Sequence, residues 1–134
     1  MQRDTILRWI DTISALIARI LRGDRSASIE LARHQLEDAK GMMLGPLQSL
    51  ADHLEAAHLA ELLNDPHRIY GYARILALES ALAQSGGCVV DAGRLADRAL
   101  ALAKAAIERI DPVPEEWVEW VAGAAAERRG LPNG

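Results

Sequence analysis

Apolar residues recur along this chain at steps of three and four, the spacing that gathers side chains on one face of a 3.6-residue helical turn. Ile6, Ile10, Ile13, Ile17 and Ile20 predict a first helix from about Asp4 to Arg22, with Gly23-Asp24 as its exit. Their alternating steps are the seam spacing of helices packed at a shallow angle. Leu7, Trp9, Leu16 and Leu21 widen that apolar face. The seam suits a helix covered within its own fold, and equally one that pairs with a second copy of the chain as a homodimer.

After a turn over Gly23 to Ser28, a second helix is expected to run to about Leu44, capped by Ser26 or Ser28. Ala32, Leu36 and Ala39 form its small-large-small stripe, and Gly45-Pro46 marks its end. From Pro46 to Asn64 the pattern changes phase near Ala56-Ala57, between Leu47, Leu50, Leu54 and Leu59, Leu62, Leu63. One continuous helix and two short helices with a bend both fit this stretch.

The centre of the chain carries the clearest punctuation. Asp65 can accept first-turn hydrogen bonds, and Pro66 has no N–H to leave unsatisfied. Ile69, Ala73, Leu76, Ala77, Ser80 and Ala81 then line one stripe up to Gly86-Gly87. Glycine adopts a left-handed helix end without steric cost. A following helix, with Asp91 as its expected cap, places Leu95, Ala99, Leu102, Ala103 and Ala106 on one face. It continues to about Asp111, where Pro112 and Pro114 stop it. The many alanines imply a close helical neighbour. Glu115 and Glu116 suit the first turn of a last helix, with Trp117, Trp120, Val121 and Ala124 on one face and Arg128-Arg129 at its end. Leu131 to Gly134 are expected to fray.

This central pair resembles a tetratricopeptide repeat. Ile75, Leu78 and Leu82 occupy apolar positions of that repeat's first helix, Gly86 its turn, and Ala92, Ala96 and Ala99-Leu100 positions of its second. Glu79 stands where a small residue is usual, and Gly87 reads as an insertion. Over residues 3 to 111 the chain is similar to an uncharacterised bacterial family of short, tetratricopeptide-like helical proteins. The likeness is carried by RDTILRWIDTISALIARIL, the LNDP turn and ALALAKAAI. The likeness implies a tetratricopeptide-like fold and no particular activity. The residue pattern as a whole predicts an all-α chain of five or six antiparallel helices, with a C-terminal helix over 112–130 capping the same domain.

Composition narrows the function. The chain has 134 residues, enough for one domain with its own core, and 50% are hydrophobic with no Phe, so that core is Leu, Ile and Ala. The net charge of −4, with signs interleaved, argues against nucleic acid, which wants clustered basic residues. Cys88 is the single cysteine, Arg3 and Asp4 do not suit a signal peptide, and no apolar run is long enough for a bilayer. A cytoplasmic protein without a membrane partner is expected.

Candidate chemistry is sparse. Glu55 and His58 have the i, i+3 spacing of carboxylate-bridged metal sites, among Asp52, His53 and Glu61, but no second Glu-x-x-His completes such a site. His67, Tyr70 and Arg74 share one side of the central helix near its N-terminus, a candidate face for an acidic partner. Trp117 and Trp120 form either an aromatic contact for a partner or the dock of the last helix. No nucleophile elbow, phosphate loop or His-Glu-x-x-His pattern is present, so catalysis has no support and no cofactor or metal is expected. A non-catalytic protein-interaction or scaffold module fits best; a small-ligand or metal-binding helical bundle is the alternative.

Overall fold

The computed structural model describes residues 3–131. Its helices are α1 (Arg3–Leu21), α2 (Ile29–Leu44), α3 (Ala56–Leu63), α4 (Pro66–Ser85), α5 (Val89–Glu108) and α6 (Glu115–Arg129). Among the described residues there is no strand, and the fold is all-α.

The Ile seam of α1 packs inside the chain's own fold. Ile10, Ile13 and Ile17 are buried, and Ile6 and Ile20 are half-buried against the same core. In the loop that follows, Asp24 accepts hydrogen bonds from the Ser26 hydroxyl at 2.6 Å, the Ser26 N–H at 2.9 Å and the Arg19 guanidinium at 2.9 Å. These bonds hold its carboxyl at about 2, below the usual carboxylate range. Ser26 is thereby committed to the loop. Ser28 is the cap of α2, its Oγ accepting from the Leu31 N–H at 3.1 Å.

The stretch after α2 is neither one helix nor two. Gly45–Leu47 and Ala51–His53 form single 3-10 turns, and only Ala56–Leu63 is α-helical. Gly45 has a positive φ of 54°, and Leu54 and Glu55 are extended, so the helical path is interrupted twice. Asn64 closes α3 in the left-handed region, φ 48°. Asp65 then caps α4 through the His67 N–H, as its sequence position implies.

α4 is the axis of the molecule. It packs against α1, α2, α3 and α5, and Tyr70 stacks on Trp117 of α6. Its buried residues therefore exceed the predicted stripe: Tyr70, Gly71, Tyr72, Ile75 and Leu82 join Ile69, Ala73, Leu76 and Ser80. Gly71 has a packing reason. A Cβ there would lie 2.5 Å from Met43 Sδ, so the missing side chain lets α2 approach α4.

The α4–α5 hairpin is the tightest contact, as its alanines imply. Buried Ser80 donates through Oγ to the Ala92 carbonyl at 2.7 Å, across a seam that includes Ala92 and Ala99. At the corner, Gly87 rather than Gly86 is left-handed, φ 83°. The Cys88 N–H reaches back to the Ala83 carbonyl at 2.8 Å, closing the helix end. This corner starts α5 at once. Cys88, not Asp91, is its N-cap residue and makes no side-chain cap; Asp91 sits in the first turn, held by Arg94. α5 also ends at Glu108 rather than near Asp111, the chain leaving the helix at Arg109, whose N–H turns back to the Ala106 carbonyl at 3.1 Å.

α6 lies on α5. Trp117 is buried, and the Arg128 guanidinium donates to both Asp97 carboxylate oxygens, at 2.7 and 3.3 Å. Leu131 is half-buried, and its N–H bonds to the Arg128 carbonyl. The remainder of the expected frayed tail, 132–134, lies outside the described residues. No helix among the described residues is long and apolar enough to cross a membrane.

Candidate functional site

The two sets of residues singled out from the sequence meet at one place. Tyr70 lies flat on Trp117, ring centroids 4.1 Å apart and planes within 9°. His67 meets the same indole edge-on at 5.2 Å, and Trp120 meets Tyr70 edge-on at 5.8 Å. This is the dock of α6 on α4. Trp117 is 2% exposed and Trp120 half-buried, so the aromatic pair serves first as packing. Burial pushes the Tyr70 hydroxyl up to about 12, against the pull of Arg74.

Above this dock, α1, α4 and α6 frame a cleft of about 520 Å³, walled by Arg8, Asp11, Arg74 and Glu116 besides the aromatics. The cation expected to receive an acidic partner is already engaged. Arg74 Nη2 donates to Asp11 Oδ1 at 2.9 Å, bridging α4 to α1. The cleft therefore carries its charges in both signs, one pair closed upon itself.

The residues with metal-ligand spacing do not converge. Asp52, His53, Glu55, His58 and Glu61 are all exposed, spread over a 3-10 turn and α3. Among the described residues, no group of three or more His, Cys, Asp or Glu could hold a metal ion.

A larger concavity, of about 810 Å³, was not legible in the sequence. α2 and α5 stand on either side of α4 and leave a groove between them. Its floor is α4, at Glu79, Leu82 and Ala83, with Leu36 and Leu95 on the two walls. The turn carrying Asp52 closes one end and Cys88 sits near the other. The segment after α2 is pinned to α5 at one end of the groove. Arg98 donates to the Leu54 carbonyl at 2.7 Å and to the Ala51 carbonyl at 2.6 Å, satisfying carbonyls that the broken helix leaves free.

Glu79 is the polar group on the floor. Lys40 reaches it from α2, Nζ standing 3.0 and 3.1 Å from the two carboxylate oxygens, and also contacts Glu37 at 3.2 Å. Burial nonetheless raises the Glu79 carboxyl above the ordinary carboxylate value, since desolvation outweighs the attraction of Lys40. Beside this pair lies the Tyr72 hydroxyl, buried and without a well-formed hydrogen bond among the described residues, close to Arg98, Asp52 and Lys40. The one sequence signal of this site is Glu79 itself, a carboxylate inside the apolar run ILALESAL.

No family model matches this chain, and neither the curated proteins nor the solved structures contain a match to it.

Proposed function

We propose that this protein is a non-catalytic protein-interaction module that holds a segment of a partner in the groove between α2 and α5. The observation that carries the reading is the form of that groove. It is open along its length, with apolar Leu36, Leu82 and Leu95 inside and charged side chains of both signs around them. Apolar side chains inside a charged rim, with one ion-paired carboxylate on the floor, suit recognition of another chain. A small-ligand site would instead gather polar groups around an enclosed cavity. The buried core is Leu, Ile, Ala, Met, Tyr and Trp, and its buried polar side chain, Ser80, is bonded to Ala92. The reading agrees with the resemblance to tetratricopeptide-like chains, which we keep as part of the proposal.

Selection of a displayed random-peptide library on the full chain tests it, followed by amide chemical-shift mapping of the enriched peptides. Shifts centred on Leu36, Leu82, Ala83 and Leu95 are expected, and Leu82→Arg should abolish them. Enriched peptides that map outside the groove, or no enrichment at all, would overturn the proposal.

A further inference from the structure

The groove's charges divide into those already answered and those that are not. Lys40 answers Glu79 and Glu37, Arg94 answers Asp91, and Arg98 is spent on two backbone carbonyls. Arg33 and Asp52 are left. Both line the groove, both are exposed, and neither has an ion-pair or hydrogen-bond partner among the described residues. They have opposite signs.

Their positions follow from the contacts between helices. Lys40 sits level with Glu79 and Gly71 approaches Met43, so α2 runs antiparallel to α4. Ser80 sits level with Ala92, so α5 also runs antiparallel to α4 and therefore parallel to α2. Arg33 precedes Lys40 by seven residues, about 10 Å at 1.5 Å per residue, toward the Cys88 end. Arg98 follows Ala92 by six residues, about 9 Å in the opposite direction, and holds the turn that carries Asp52. The two unanswered charges thus lie toward opposite ends of the groove, roughly 10 to 20 Å apart along α4.

Building on the interaction reading above, we propose that the groove's occupant is an extended segment of a partner protein bearing one acidic and one basic side chain about three to six residues apart. The acidic side chain meets Arg33, the basic one meets Asp52, and the apolar residues between them lie over Leu82. The spacing follows from a rise of about 3.3 Å per residue in an extended chain. A helical occupant would cover the same distance in about 7 to 13 residues. The site selects by charge pattern as well as by apolar contact, and both charges lie on exposed positions where substitution leaves the core intact.

The test uses the full chain and fluorescein-labelled dodecapeptides of Ser, Ala and Leu. They carry Glu and Lys at spacings from three to nine, or two Glu, two Lys or neither. Binding is read by polarisation, and its location by amide shifts. For the native chain, Glu/Lys peptides at a spacing of about three to six should bind roughly tenfold tighter than like-charged ones, a preference that fades with added salt. Arg33→Glu makes both ends acidic and should switch the preference to Lys/Lys peptides. Asp52→Lys should switch it to Glu/Glu peptides. Groove shifts without either switch would overturn this inference and leave the interaction reading standing. Absence of groove shifts with every peptide would overturn both.

Discussion

Lys40 and Glu79 illustrate how a single half-buried pair ties sequence to stability. The Glu79 carboxyl is raised by burial, and Lys40 is raised too, through its two carboxylate neighbours. A carboxyl raised on folding contributes stability below its unfolded value, and that contribution is lost as pH rises through the folded value. Lys40→Met removes the one cation that contacts Glu79. It should cost about 2 kcal/mol near neutral pH, and less in acid, because protonation of Glu79 removes the charge left without its cation. Urea melts near neutral pH and in acid check this; a cost that grows on acidification would contradict it. Glycines supply a second residue-scale test, because their surroundings differ. Gly87→Ala forces a left-handed alanine and should cost about 1 kcal/mol, whereas Gly123→Ala, inside α6 with nothing within 4 Å of its added Cβ, should stabilise by about 0.5–1 kcal/mol. Paired thermal melts would show opposite shifts.

At the scale of elements, α6 is attached by Trp117 at one end and by Arg128 at the other. Trp117 is sandwiched between Tyr70 and His67, so Trp117→Ala should cost about 3 kcal/mol and remove the near-ultraviolet dichroism of the Tyr70–Trp117 stack. An unchanged melt would mean that α6 is held by something else. The irregular segment from Gly45 to Glu55 depends in the same way on Arg98. Lysine at position 98 has no fork to bridge the Ala51 and Leu54 carbonyls together. Arg98→Lys should therefore speed amide exchange in that segment by roughly tenfold, with α4 and α5 unaffected.

For the whole molecule, the question is what the Ile seam of α1 covers. Ile10, Ile13 and Ile17 are consumed by the chain's own core, and the outer face of α1 presents Arg8, Asp11, Thr12 and Arg19. Ile13→Ala should then lower stability by about 2–4 kcal/mol, equally at every protein concentration. A loss that shrinks as the protein is concentrated would restore the homodimer reading of that seam.

Most of the helices could be read from local chemistry. The steps of three and four in α1, the Asp65-Pro66 start of α4, the left-handed Asn64 and the glycines before Cys88 are short-range signals, decided within a few residues. The stretch from Gly45 to Glu55 could not be read in this way. Its apolar residues fit a helix, while its actual path is set by Arg98, more than forty residues later in the chain. The same separation hid the groove. Leu36, Glu79 and Leu95 are unremarkable in their own helices and become one surface only because α2 and α5 pack on opposite sides of α4. Periodicity reports which face of a helix is apolar; it carries no information on which other helix meets that face. The sequence by itself therefore determined the rods and most of their ends, while packing at a distance decided that Tyr70 would meet Trp117, that Arg74 would be taken by Asp11, and that Arg33 and Asp52 would stand unanswered toward opposite ends of one groove.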